Sequence, residues 1–166
     1  MKTPGQRSLI KSMDAGFTLI ELMISVAILS IMLAISIPAY KGMIAEQKVR
    51  AVASLLHSSV LLARSEAIKR NRDVLVRPAT GGGWKDGWLI PAPSTPNSDA
   101  NPLLQERLSP SVTISGGPAF LELRASGRLK NASEVQFEIE ANSDATKKRC
   151  VTVGIDGRVN TGVGGC

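Results

Sequence analysis

From Phe17 to Ile37 the chain runs through 21 residues, FTLIELMISVAILSIMLAISI, that carry a single charge, Glu21. At about 1.5 Å rise per residue, a helix of this length reaches about 32 Å, close to the thickness of a bilayer's hydrocarbon core. The residues ahead of it, MKTPGQRSLIKSMDAG, hold Lys2, Arg7 and Lys11 against Asp14, a side-chain sum of +2. A basic leader before an apolar run keeps the N-terminus cytoplasmic and sends the following domain across the membrane. A secretory signal cut after its apolar region, at a small-residue site such as Ala34 to Ser36, fits this layout, and so does an uncut signal anchor. Neither explains why Gly16 stands immediately before the run or why Glu21 lies inside it.

The sequence Gly-Phe-Thr-Leu-Ile-Glu-Leu, followed by about fifteen apolar residues and then Pro38, resembles the class III leader of type IV pilins and type II secretion pseudopilins. The resemblance implies that a prepilin peptidase cuts between Gly16 and Phe17 and methylates the new amine of Phe17. The apolar segment then stays on the mature protein, with Glu21 as its fifth residue. Physical chemistry suits the pattern. An ionised carboxylate costs about 2.5–3.5 kcal/mol at mid-membrane on insertion scales, less near a helix end that reaches headgroups, and the positive end of the helix dipole favours it further. A tolerated interfacial acid is one reading of Glu21. The other is assembly: once subunits leave the bilayer and pack into a filament, a buried carboxylate needs a cation, and the amine freed on Phe17 supplies one. The resemblance implies that this pair sets subunit register, with Pro38 as a second assembly residue.

Beyond the span the pattern changes. Pro38 and Gly42 can kink or loosen a helix without ending it. From Ile44 onward, Val49, Val52, Leu55, Leu56, Leu62, Ala63 and Ala67 recur at helical spacing, predicting an amphipathic continuation to about Arg70 with Asn71 as its cap. The runs DVLVRP, GWLIPA, SVTIS, AFLELRA, EVQFEIE and RCVTVGI then read as short strands, an antiparallel sheet of five to seven. Pro91 to Pro102, rich in proline, reads as an exposed loop. One long helix followed by a sheet is an α+β architecture. LLARSEAIKRN at 61–71, the Trp84 to Trp88 element and GIDGRVN close to a terminal cysteine resemble the GspH/FimT branch of minor pilins and pseudopilins. This implies a type IV pilin-like fold: a long N-terminal helix, half membrane-spanning and half amphipathic, packed on antiparallel sheet, with a disulfide-closed C-terminal loop.

Little in the chain suggests catalysis. His57 is the only histidine and lies mid-helix, where a structural role outweighs that of a base. With one histidine and two cysteines there is no four-ligand zinc set, and neither a phosphate-binding P-loop nor a nucleophile elbow occurs. The glycine run Gly81 to Gly83 lacks the lysine and following helix that a phosphate cradle needs. The expectation is a non-enzymatic protein without a cofactor or a metal.

Cys150 and Cys166 can form the one possible intramolecular disulfide in an exported domain. It would close 15 intervening residues, stabilising the domain by about 3 kcal/mol in the chain-entropy model and fastening a glycine-rich tail. Removing residues 1–16 takes three basic and one acidic side chain from the chain's 20 and 14, leaving a net charge of +4. Lys147, Lys148, Arg149 and Arg158 fall near the disulfide, and its closure would gather them into a compact patch for phosphates. FimT-like proteins of naturally transformable bacteria resemble this region and bind DNA through a Gly-Arg-x-Arg element in the C-terminal loop. Here the element reads Gly157, Arg158, Val159, Asn160, so the second arginine is an asparagine that can hydrogen-bond a phosphate without neutralising it.

Together these readings divide the chain into a removed leader (1–16), a transmembrane and filament-core helix (17–43) and a globular periplasmic domain (44–166). They place the protein as a single-pass bacterial inner-membrane protein that moves into a pilus, or into a pseudopilus of a type II secretion system. Its expected partners are prepilin peptidase, other pilins or pseudopilins, the inner membrane and, through the basic loop, double-stranded DNA.

Overall fold

The computed structural model describes residues 16–79, 81, 83–92 and 101–166, without the side chains of 36–39. The leader up to residue 15, most of the proline-rich loop and the Pro38 side chain therefore lie outside the described residues. Helix α1 (Leu19–Arg70) precedes eight strands: β1 (Val74–Pro78), β2 (Gly87–Ile90), β3 (Leu104–Arg107), β4 (Val112–Gly116), β5 (Leu121–Leu123), β6 (Val135–Ala141), β7 (Asp144–Val153) and β8 (Val159–Val163). A short 3-10 turn, Trp84–Asp86, leads into β2. The chain divides into two units, Met1–Ala39 and Tyr40–Cys166.

Within Met1–Ala39, α1 is apolar on every side, and its large side chains from Leu19 to Ile35 are exposed. Two hydroxyls are accommodated by bonding back to the helix: Ser25 Oγ donates to the Glu21 carbonyl at 2.7 Å and Ser30 Oγ to that of Val26 at 2.8 Å.

The unit Tyr40–Cys166 has two four-stranded antiparallel sheets in place of the single sheet expected, with strand orders β3-β2-β1-β5 and β4-β6-β7-β8. Its part of α1 buries Ala45, Val49, Ala53, Leu56, Val60, Ala63 and Ala67 in one core with both sheets. This stripe steps by three and four residues, and four of its seven members are alanine. Small side chains let the helix backbone approach the strands closely, so the bulkier Leu55 and Leu62, expected inside, sit at the flank and stay exposed. The helix ends where the sequence indicates: Asn71 takes φ 51°, and Arg72 N–H donates to the Ala67 carbonyl at 3.1 Å.

The two tryptophans are core anchors. Trp88 is fully buried, and its Nε1–H donates to Ser59 Oγ at 2.9 Å, tying β2 to α1. Trp84 packs edge-on against Phe137 at 4.8 Å and donates to the Pro118 carbonyl at 2.7 Å, linking the 3-10 turn to the second sheet. Ser59→Ala should therefore cost about 1–3 kcal/mol in chemical denaturation, because it strands a buried indole N–H. Adding Trp88→Phe should cost less than the sum of the two single changes, the signature of a shared bond.

Two strands were not expected. β3 pairs with β2 from Ile90↔Leu104 to Gly87↔Arg107. β8 pairs with β7 from Val153↔Val159 to Arg149↔Val163, so half of the glycine-rich tail belongs to a hairpin. Cys150 and Cys166 are bonded, with Cα atoms 5.1 Å apart, fixing the last residue beside β7.

Candidate functional site

The helix start is built by Thr18. Its Oγ1 accepts the Glu21 N–H at 3.3 Å and its carbonyl accepts the Leu22 N–H at 3.2 Å, so Thr18 caps α1. Thr-x-x-Glu is the sequence of a capping box, a signal that reading Glu21 for charge alone passes over. Glu21 lies in the first turn of α1, where backbone N–H groups and the helix dipole favour its charge. Phe17 is 76% exposed immediately before the cap. Among the described residues, chain neighbours aside, no atom lies within 4 Å of the place where a Cβ on Gly16 would sit. Gly16, Phe17 and Glu21 are thus held within one helical turn and its entry, open to solvent.

The four cations expected to form one patch are dispersed. Lys147, Lys148 and Arg149 lie on β7 and not on a loop. The physical reason is the Glu138-Ile139-Glu140 run of β6, which supplies cross-strand charges that stabilise a lysine-rich strand. Lys148 Nζ meets Glu138 Oε1 at 3.0 Å and Glu140 Oε2 at 2.8 Å, while Arg149 lies 3.9 Å from Glu46 of α1. Arg158 is past the far end of β7, in the turn to β8, and pairs with Asp156 at 3.2 Å. Asn160 is exposed on β8. The Arg158 turn begins at Gly154, five steps along the chain from Arg149, about 16 Å at 3.3 Å per residue.

A different set of cations gathers near Arg158. Two turns of the same build meet there, Arg124–Arg128 and Gly154–Arg158. In each, the first residue's N–H donates to the fifth residue's carbonyl, at 2.8 and 2.9 Å, and the glycine N–H donates to the first residue's carbonyl, at 2.7 and 2.8 Å. Gly127 and Gly157 both take φ 75°, and a Cβ on Gly157 would strike the Gly127 carbonyl oxygen. Arg64 of α1 braces the pair by donating to the Gly157 carbonyl at 3.1 Å. The meeting of the turns brings Arg158 to the same end of the unit as Arg124 and Arg128, which line a shallow cavity of about 330 Å³ together with Lys130, itself paired with Asp73 at 3.0 Å and Glu122 at 2.8 Å. Ser-Gly-Arg and Asp-Gly-Arg are visible as two similar triplets, but their meeting depends on the fold.

The C-terminus is held by electrostatics as well as by the disulfide. Glu138 Oε2 accepts the Cys166 N–H at 3.1 Å. The Lys148 ammonium, and after it this amide, hold the Glu138 carboxyl below its ordinary range, while Glu140 and Glu138 raise Lys148. For Glu138 the stabilisation is complete above the unfolded carboxylate value, about 4.3, and is lost as pH falls through the lower folded value. For Lys148 it is complete below about 10.4 and is lost as pH rises through the higher folded value. NMR titration of the Cys166 amide should show an acid transition below the ordinary carboxylate range that disappears in Glu138→Gln.

Elsewhere, His57 Nδ1 lies 3.3 Å from Thr161 Oγ1. Among the described residues no three histidine, cysteine, aspartate or glutamate side chains cluster as metal ligands.

Known proteins match the chain in three ways. The family model "Type II transport protein GspH" covers residues 52–157, and "Prokaryotic N-terminal methylation motif" covers residues 11–37. Type IV major fimbrial proteins FimA of Dichelobacter nodosus are 56% identical over 45 residues, which is 27% of this chain and 29% of theirs. The chain thus spans about three tenths of the length of these curated relatives. Among solved structures, the type IV minor pilin FimU of Pseudomonas aeruginosa is similar with a TM-score of 0.60 at 22% identity, covering 70% of this chain and 89% of that one. The minor pseudopilin EpsH from the type 2 secretion system of Vibrio cholerae gives 0.55 at 16% identity, covering 70% and 97%. These structural likenesses agree on the fold, and the match over residues 52–157 takes in more than half of the sequence. The chain belongs to the GspH family and has the type IV pilin-like fold.

Proposed function

We propose that this chain is a minor pilin, cut between Gly16 and Phe17 by a prepilin peptidase, methylated on Phe17 and assembled into a type IV pilus, where it primes or caps the fibre. Before assembly the apolar half of α1 anchors it in the inner membrane with Tyr40–Cys166 in the periplasm. The observation that carries this reading is the helix start: a capped, uncovered apolar helix that begins three residues after Gly16, with one acid, Glu21, in its first turn. Such a surface needs lipid or other helices to cover it. The match to the methylation motif supports the same processing. The test is to shear fibres from cells and examine this chain by mass spectrometry. A mature chain beginning at methylated Phe17 in the fibre fraction is expected, and a chain beginning at Met1 in intact fibres refutes the proposal.

The GspH match and the likeness to EpsH favour a second reading, a minor pseudopilin acting in protein secretion. Deleting the gene separates the two: loss of surface fibres supports the pilus, and loss of a secreted enzyme with fibres intact supports the secretion system.

The twin turns also favour a DNA contact by the pilin, through residues other than the β7 cations. Binding should follow Arg124, Arg128 and Arg158. Changing all three to alanine should abolish a salt-dependent gel shift of double-stranded DNA by the detergent-solubilised chain, and each single change should lower the salt slope by about 1. Changing Lys147, Lys148 and Arg149 should leave most of it. No shift by the unaltered chain removes the DNA reading and leaves assembly standing.

A further inference from the structure

The edges of the two sheets are protected unequally. β3 carries Glu106 and Arg107, and charged residues discourage edge pairing. β5 is three residues long and is flanked by the following segment, through the Leu123↔Leu129 bridge and the Lys130 N–H donated to the Glu122 carbonyl. β4 has the 3-10 turn packed near it. β8, Val-Asn-Thr-Gly-Val, has neither charge nor proline, and no described residue pairs with its outer side. Val163, at its end, is 84% exposed.

The register shows which main-chain groups are free. Gly154 N–H donates to the Arg158 carbonyl and Gly164 N–H to the Lys148 carbonyl, at the two ends of the β7–β8 ladder. Antiparallel bonding alternates, so Cys150↔Gly162 and Thr152↔Asn160 are the bonded pairs between them. Val159, Thr161 and Val163 consequently turn their N–H and C=O groups outward. Beside this edge, Arg50, Ser54 and His57 of α1, together with Arg149, Asn160 and Thr161, line an open groove of about 450 Å³. Two guanidiniums there share one carboxylate: Glu46 lies 3.3 Å from Arg50 and 3.9 Å from Arg149. Among the described residues no second carboxylate pairs with these two guanidiniums, which leaves one positive charge in excess there.

We propose that β8 and this groove form a strand-docking site for an edge strand of a neighbouring, different pilin-type subunit, which pairs with Val159, Thr161 and Val163 and sets a carboxylate against Arg50 and Arg149. The unguarded main chain gives the affinity, and the second guanidinium selects an acidic partner strand. The inference rests on the reading of this chain as an assembling subunit.

Thr161→Pro tests it, because it removes an outward N–H and no bond of the β7–β8 ladder, as edge prolines do in native sheets. The full chain carries a photoreactive side chain at position 163 in cells that make fibres, and crosslinked peptides are sequenced from the fibre fraction. The expected product joins position 163 to an edge strand of another pilin-type subunit. It should fall at least about tenfold, or about 1.4 kcal/mol, in Thr161→Pro, and also fall in Arg50→Glu, yet persist in Thr161→Val. Should Thr161→Pro fail to retain the Cys150–Cys166 bond and the unaltered melting temperature, Thr161→Lys, which guards the edge by charge, takes its place. A crosslink confined to a second copy of this chain, one indifferent to these edge variants, or none at all while the chain is present in fibres overturns the docking site alone. Absence of the chain from fibres overturns the assembly reading and the site with it.

Discussion

Cells producing Gly16→Val are expected to accumulate the uncut chain, with its N-terminus at Met1 and none of the methylation on Phe17. Among the described residues no atom beyond the chain neighbours lies within 4 Å of the position a Cβ at residue 16 would take, and residue 16 precedes the helix. A larger side chain therefore costs the structure nothing, and any defect reports on the peptidase. A peptidase cleft that accepts the glycine backbone closely has to exclude a branched side chain, and misplacement of a scissile bond by about 1 Å costs about 100-fold in rate. Gly16→Ala should show a partial defect and Gly16→Val a nearly complete one, read as the ratio of precursor to mature mass. Because the apolar helix is unaltered, the precursor should remain in the membrane fraction. Normal maturation of Gly16→Val would move the cut elsewhere and remove Gly16 from the processing site.

The parts of the fold that depend on one local period were legible from the residues alone. The apolar helix follows from 21 consecutive residues with one charge, and its end at Arg70 from the change of period and from Asn71, which tolerates a positive φ. What was not legible depends on partners distant in sequence. β8 has weak strand propensity and a glycine, and it forms because β7 offers a ladder and Cys166 is bonded back to Cys150. Lys147 and Lys148 fall outside the strand run that begins at Arg149, because the carboxylates that draw them into β7, Glu138 and Glu140, are on β6. The same holds at the candidate surfaces. Gly157 and Arg158 stood out as a motif, whereas Arg124 and Arg128 joined them only when a second turn of the same build came to rest against the first. Helical spacing placed Leu55 and Leu62 in the core along with Leu56. Period alone does not choose among adjacent apolar residues, and the alanines at 53, 63 and 67 decide which side of the helix lies closest to the sheets.

Glu21→Ala is expected to leave cleavage intact and to remove the chain from fibres. The helix start survives the change, because the bond at the cap uses the backbone N–H of residue 21 and the Thr18 hydroxyl. A loss of incorporation therefore cannot come from a frayed helix. On the proposed reading the carboxylate lies close to the headgroups in the bilayer, so removing it should make insertion no harder. Once packed among other apolar helices, however, the amine that the proposed cut frees on Phe17 would lose its counter-charge. Removing one partner of a buried ion pair costs about 3–5 kcal/mol, a loss of 10² to 10³ or more at about 1.4 kcal/mol per tenfold. Glu21→Gln separates charge from shape: it keeps the volume and hydrogen-bonding capacity, and should fail nearly as completely. Thr18→Ala weakens the cap by about 0.5–2 kcal/mol and should reduce incorporation far less, since the charge pair is retained. Quantified as mature chain per milligram of sheared fibre, the order Thr18→Ala well above Glu21→Gln, with Glu21→Ala lowest, follows if the acid acts through its charge. Wild-type incorporation of Glu21→Gln would show instead that Glu21 is a tolerated interfacial residue, with no part in setting register.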